Sequence, residues 1–301
     1  MVKRFLDYVE IKTKITSIFA FLMTIAFLFY NNQPIDWNLT LIFFGAMFLF
    51  DLATTAINNY IDTKTNDQKL QFKRGNALAI LMALLVASLI LALYLVYLTD
   101  IVVLLLGGLC FLCGVFYTYG PIPISRQPWG EVFSGIFYGF FIPFILLYIN
   151  MPQGTYLVLT GNLQTINITV EIFPIFTVIM LSILPVCSTA NIMLANNICD
   201  LERDLLVKRY TLPYYLGVKK ALYLFAGIYY LCYLALVIMT VFQILSPICL
   251  LFMITIVPVQ RNIRLFFKEQ EKKSTFMVSI KNYLIIMGTI TVLIFVSGLI
   301  S

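Results

Sequence analysis

Nine apolar runs, each about the length that crosses a bilayer, punctuate this chain and decide what it can become. They fall near residues 15–31, 39–61, 77–98, 101–119, 131–149, 172–198, 221–242, 244–260 and 281–300. A run of roughly 17–25 apolar residues is what a membrane helix needs. The eighth run is short and holds Pro247 and Pro258. In lipid, backbone polar groups must bond within the segment, so the expected fold is all-α: a polytopic membrane bundle of nine transmembrane helices, with no sheet. Composition agrees. Apolar residues make up 61% of the 301 residues and charged residues 11%, against about 45–50% and about 25% in soluble domains. No Pro-rich or low-complexity linker divides the chain, so one membrane domain over 1–301 is expected. No cleavable leader is expected, because the first run lacks a small-residue cleavage site.

The basic residues test the span count. All 20 Lys and Arg lie in the N-terminal tail and in the segments 62–76, 120–130, 199–220 and 261–281. The alternate loops near 32–38, 99–100, 150–171 and 243 hold none. By the positive-inside rule this sets the N-terminus and the basic loops in the cytoplasm. The net charge of +6 therefore belongs to one membrane face, and no nucleic-acid partner is called for. The segment 261–281, with Lys272 among its basic residues, reads as a topology signal near anionic lipid. The loop 150–171 reads as a surface loop.

Histidine is absent, which removes imidazole ligands and His general bases. The six cysteines lie in or beside apolar runs and read as packing residues, so neither a zinc site nor a redox pair is argued. Carboxylates are few, and a charge near mid-membrane costs about 2.5–3.5 kcal/mol on insertion scales. Two clusters stand out. Asn58, Asn59, Asp62, Asn66 and Asp67 follow the second run; Asn196, Asn197, Asp200, Glu202 and Asp204 follow the sixth. Both read Asn-Asn-x-x-Asp. Steps of four residues advance a helix by only about 40°, so Asn58, Asp62 and Asn66 share a face, as do Asn196, Asp200 and Asp204. Asp51 lies on a similar face. Hard Mg²⁺ is commonly held by one or two carboxylates plus substrate phosphates. Lys73, Arg74, Arg203, Lys208 and Arg209 lie just beyond the motifs, where they suit diphosphate oxygens. One such cluster alone would read as an ordinary helix end. A transporter with an intramembrane ion site is the alternative from another class.

The matched pair resembles the two Asp-rich motifs of the UbiA superfamily of intramembrane prenyltransferases. A third segment, Tyr117 to Glu131 with Gly120, Pro121, Arg126, Trp129 and Gly130, is similar to a Tyr-x-x-Gly-Pro…Gly-Glu loop of the menaquinone branch, the 1,4-dihydroxy-2-naphthoate polyprenyltransferases. Thr211, Leu212, Leu216 and Gly217 follow the second motif as in that branch. The resemblance covers about residues 10–300. It departs from the pattern at Asn59, where the family often has Asp, at Asn66, and at Arg126. Haem O synthases and 4-hydroxybenzoate prenyltransferases share the Asp pair, which makes another aromatic acid the alternative acceptor.

The resemblance implies electrophilic aromatic prenylation in an integral membrane protein, at the cytoplasmic face of a plasma membrane. The donor would be a polyprenyl diphosphate with its tail in lipid, the acceptor an aromatic acid, dihydroxynaphthoate, alkylated with loss of CO₂. Mg²⁺ would be held by Asp62, Asp67, Asn196, Asp200 and Asp204. Asn58 would add an oxygen ligand or position substrate. Asn59, Lys73, Arg74, Tyr117, Tyr119, Arg203, Lys208 and Arg209 would line the substrate. Tyr60, Tyr117 and Tyr119 would offer π faces to an allylic cation, or serve as packing and interface residues. Arg126 would meet either the acceptor carboxylate or the diphosphate.

Overall fold

The computed structural model describes residues 1–63, 69–120, 123–161, 164–272 and 274–300. Among them, nine helices are long and apolar enough to cross a membrane: Ile11–Tyr30, Trp37–Asp62, Arg74–Leu98, Ile101–Thr118, Gly130–Asn150, Ile172–Cys199, Val218–Val241, Pro247–Lys268 and Met277–Ile300. They coincide with the nine apolar runs. The eighth differs most, because it extends to Lys268. Pro247 opens a nine-residue 3₁₀ stretch, Pro247–Thr255, where its missing N–H costs nothing. The strongly amphipathic helix α12, Ile256–Lys268, then continues it with Val259, Ile263 and Phe266 buried. Arg261, Arg264 and Lys268 thus ride on a helix, where the sequence suggested a loop.

The chain forms two compact units. One is Met1–Ile18 with Asp36–Ser125; the other is Phe19–Ile35 with Arg126–Ser301. The first holds α1 (Val2–Tyr8), a 3₁₀ turn over Ile11–Lys14, α3 (Trp37–Asp62), α4 (Arg74–Leu98) and α5 (Ile101–Thr118). Asp36 caps α3 by accepting from Leu39 N–H at 3.0 Å, and Asp100 caps α5 through Val102 and Val103. Such caps satisfy amides that a helix start leaves open. Small residues let the helices approach: a side chain at Gly114 would strike the Phe50 ring at 2.6 Å. Tyr8 is fully buried and donates to the carbonyls of Ala56 and Ala77, at 3.1 and 3.2 Å. It pins α1 to both α3 and α4. Burial, with Tyr60 adding to it, pushes its hydroxyl up to about 12.

The second unit is built on α8, Ile172–Cys199, packed by α11 (Val218–Val241), α13 (Met277–Ile300) and the fifth span. That span is interrupted: α6 (Gly130–Ile136) and α7 (Ile142–Asn150) flank a π turn, Phe137–Phe141. The interruption meets Pro185 inside α8. A Cβ on Gly139 would lie 2.2 Å from the Val186 nitrogen, and one on Gly135 2.9 Å from its carbonyl oxygen. Backbone meets backbone here, which only glycine permits. α2 (Ile15–Tyr30) reaches this unit with Phe29 stacked on Phe295 at 5.0 Å.

The expectation of no sheet does not hold, because the segment read as a surface loop, 150–171, carries one two-stranded sheet. Strands β1 (Leu157–Gly161) and β2 (Ile166–Val170) pair antiparallel as a hairpin. β-branched residues in alternation account for it. The six cysteines are all free thiols.

Candidate active site

Each acidic motif closes a span, one in each unit. In the first unit, α3 carries Asp51, Thr55, Asn58 and Asp62 along neighbouring turns. Asp51 is buried in an ion pair that sequence reasoning missed. Lys14, 1% exposed, donates to Asp51 Oδ1 at 2.7 Å, to the Asp51 carbonyl at 2.9 Å and to Thr55 at 2.5 Å. Ser17 donates to the other carboxylate oxygen at 2.6 Å. All three ammonium protons therefore have acceptors, the condition under which a buried pair is tolerated. Lys14 obeys the topology rule, yet it is a strut inside the protein and not a free tail charge.

Asn58 accepts from the Thr118 hydroxyl, which joins the end of α3 to the end of α5. Asn59 donates to the Tyr8 carbonyl at 2.9 Å and to Glu10 at 3.2 Å, so its amide N–H groups hold the N-terminal segment. Arg74 donates to the carbonyls of Tyr60 and Thr63, at 3.2 and 3.1 Å, and lies over the Tyr60 ring at 5.4 Å. A cation there satisfies open carbonyls at the end of α3 and complements its dipole. Asn59, Tyr60 and Arg74 thus shape the end of α3. Lys73 precedes α4 on the surface. Asn66 and Asp67 lie outside the described residues, as do Pro121 and Ile122. Tyr117 and Thr118 finish α5, Tyr119 is exposed, and Gly120 turns the chain at φ +124°.

The second unit gathers its motif more tightly. α8 ends at Cys199, and Asp200 joins it to the short helix α9, Leu201–Leu206. Lys272 donates to both Asn196 Oδ1 and Asp200 Oδ2, the latter at 2.5 Å. Asp204 is 6% exposed, with Oδ2 lacking a hydrogen bond and Arg209 Nε 4.0 Å away. Burial lifts its carboxyl to about 6, and neighbouring Asp200 also raises it, while Arg209 and Lys272 oppose the shift. The Arg209 amide also donates to the Asp204 carbonyl at 2.9 Å, and Tyr210 N–H to the Arg126 carbonyl at 3.1 Å. That last bond ties the Arg126 loop to the segment after the motif. Arg203 and Lys208 are exposed.

Behind this set lies a buried pair. Asn197 donates from Nδ2 to Glu131 Oε1 at 2.8 Å. Glu131 Oε2 and Asn197 Oδ1 have no hydrogen-bond partner. Glu131 was legible only as part of the Gly-Glu sequence, and Asn197 only as the second Asn of the motif. Lys272 gave no local signal at all.

The donor set suits a hard divalent cation. Asn196 and Asp200 already close on an ammonium, and Asp204 offers a buried carboxylate oxygen that accepts no hydrogen bond. Among the described residues, no three carboxylates or thiols converge on one point. A Mg²⁺ ion would therefore need amide and phosphate oxygens to complete its shell, which is its ordinary habit.

The fold has known counterparts. The chain belongs to the UbiA prenyltransferase family, whose sequence pattern it matches over residues 18–285. A 1,4-dihydroxy-2-naphthoate octaprenyltransferase of Bacillus subtilis (strain 168) is 32% identical over 143 residues, which are 48% of this chain and 40% of that protein. The aligned part thus spans well under two thirds of the relative. The fold matches a UbiA homologue from Aeropyrum pernix K1 at a TM-score of 0.67 and 16% identity, over 93% of this chain and 98% of that one. A UbiA homologue from Archaeoglobus fulgidus, solved with DMAPP and Mg²⁺, gives 0.62 at 13% identity over 99% and 98%. A digeranylgeranylglyceryl phosphate synthase gives 0.66 at 19% over 100% and 99%. These likenesses and the nine apolar helices make this an integral membrane protein.

Proposed function

We propose that this chain, acting as one functional domain, transfers a polyprenyl group from polyprenyl diphosphate to 1,4-dihydroxy-2-naphthoate, with release of CO₂, in menaquinone synthesis at the cytoplasmic face of a plasma membrane. The observation that carries the reading is the Lys272 ammonium held by Asn196 and Asp200, with a buried Asp204 oxygen that accepts no hydrogen bond in the same motif, in a membrane protein of a prenyltransferase family.

Mg²⁺, when bound, would neutralise the diphosphate as the allylic C–O bond breaks. Asn196, Asp200 and Asp204 would hold it on one motif, and Asp62 and Asp67, with Asn58, would do so on the other. Lys272 would yield its place on Asp200 and turn to the diphosphate oxygens. Arg203, Lys208 and Arg209 surround the same motif with cationic charge, and Lys73 does so near the first. Cations fixed where charge develops are often a large catalytic contribution. Tyr117 and Tyr119 would face the allylic cation, and Arg126 would meet the acceptor carboxylate. Trp129, which is exposed, would offer a flat apolar surface to a bicyclic acid. The relative from Bacillus subtilis supports the choice of acceptor.

The test is product analysis. Purified protein with Mg²⁺ and labelled polyprenyl diphosphate should prenylate 1,4-dihydroxy-2-naphthoate and release CO₂. A product that keeps its carboxylate, or turnover with 4-hydroxybenzoate alone, would move the acceptor assignment. Ion flux in liposomes without any prenylated product would make the chain a transporter.

A further inference from the structure

The hairpin between α7 and α8 has two unlike faces. Directly paired residues of an antiparallel ladder project to the same side, and alternate residues to opposite sides. The pairs Leu157↔Val170, Leu159↔Ile168 and Gly161↔Ile166 therefore form one face. Apart from Gly161, it is wholly aliphatic. The other face carries Val158 with Thr169 and Thr160 with Asn167.

Leu157 and Leu159 on this face are half-buried, but its β2 half is open. Ile166, Ile168 and Val170 are 72%, 63% and 49% exposed. Only the root is anchored. Tyr156 is buried and packs edge-on against Phe144 of α7 at 5.9 Å, and Glu171 N–H extends the ladder to the Tyr156 carbonyl at 2.9 Å. An isolated two-stranded hairpin is marginal in water, and an open apolar edge invites strand pairing between molecules. This one has both liabilities unless something apolar covers it.

We propose that the covering is lipid: the hairpin lies in the membrane interface as a paddle, its aliphatic face against acyl chains and its Thr/Asn face toward water. Continuity argues for this occupant. The hairpin joins the ends of two membrane-spanning helices, so it starts at the membrane surface. Its apolar row runs directly into Ile172 and Phe173, exposed residues that open α8. Between residues 150 and 171 there is no Lys or Arg, and Glu171 is the single charge, at the root. Attraction to anionic headgroups is thus absent, and apolar burial is the contribution that binds an interfacial element of this kind. The proposal does not rest on the transferase reading.

The experiment uses the whole chain in phosphatidylcholine nanodiscs. An environment-sensitive fluorescent amino acid is placed at Ile168 in one protein and at Thr169 in another. Lipid brominated near the headgroup end of its chains should quench the probe at 168 at least about threefold more than at 169, because the two side chains face opposite ways at a shallow depth. Aqueous acrylamide should show the reverse order. Ile166, on the same face, serves as the alternative site if the probe at 168 disturbs folding. Equal lipid quenching at the two faces would overturn the proposal. So would protection of 168 from both quenchers together with a dimeric mass, which would assign the face to a second copy of the chain.

Discussion

The ammonium of Lys272 lies 2.5 Å from Oδ2 of Asp200 and also reaches the amide oxygen of Asn196. Asp200 is therefore already paired from within its own unit, by a residue from the segment before α13. A divalent ion bound as proposed would compete with this lysine for the same two oxygens. That competition is a property of the protein alone and can be measured without substrate.

In Lys272→Gln, Mn²⁺ should bind the purified protein more tightly in the absence of substrate. A partly exposed lysine–carboxylate pair is worth up to about 1 kcal/mol, or about fivefold in a binding constant. Electron paramagnetic resonance of free Mn²⁺ reads this directly. The same variant should raise the KM for prenyl diphosphate, since a positive charge facing its oxygens is lost. Unchanged Mn²⁺ affinity would show that Lys272 does not share the metal's ligands.

Asp200→Ala and Asp204→Ala should each lower turnover by more than about 100-fold, the loss typical of removing a group that stabilises transition-state charge. Both proteins should still elute as folded species. EDTA should abolish wild-type turnover, and Mg²⁺ should restore it. Near-normal rates in either variant would remove that residue from the metal set.

The Lys14–Asp51 pair should behave as a structural unit. Lys14→Met strands a buried carboxylate and should cost about 3–5 kcal/mol, whereas the double variant Lys14→Met/Asp51→Leu should recover most of that loss. Thermal unfolding in detergent compares the three proteins. A double variant as unstable as the single one would mean that Asp51 serves more than its lysine.

Glu131→Ala should leave Asn197 Nδ2 buried without its acceptor, at a cost of about 1–3 kcal/mol. Glu131→Gln keeps an acceptor oxygen and should be stable in the same unfolding assay. Equal destabilisation by both would show that the negative charge, and not the hydrogen bond, is what Asn197 needs.

Reporter fusions at 34, 70, 155, 210 and 270 should read out, in, out, in, in. The segregation of all 20 Lys and Arg to alternate segments motivates this. A cytoplasmic signal at 155, within the segment that holds the hairpin, would invert half of the chain.

The spans were legible because lipid imposes one rule on every residue, and nine apolar runs obey it. The acidic motifs were legible because Asn-Asn-x-x-Asp is a local pattern repeated. Lys14 and Lys272 were not, since a lysine that obeys topology looks the same as one that bonds a carboxylate 37 or 72 positions away. Arg74 and Asn59 sat in the right sequence neighbourhood, yet their donors are engaged at the end of α3. The hairpin was hidden because its apolar alternation lies between residues that read as loop. Pro258 warned of a break in the eighth span, but Pro falls near the start of α12, where a helix accepts it.

The contact of Gly139 with Val186 turns α8 into a lever. From Pro185 the helix runs fifteen residues to Asp200, about 22 Å at 1.5 Å per residue. A methyl group at 139, 2.2 Å from the Val186 nitrogen, has no soft side chain to push aside, so the helix itself must yield. A tilt of only about 3° at the fulcrum would carry Asp200 by about 1 Å, a displacement of the size that can cost about 100-fold in rate. A glycine in the fifth span would thereby govern the aim of a carboxylate that it never touches.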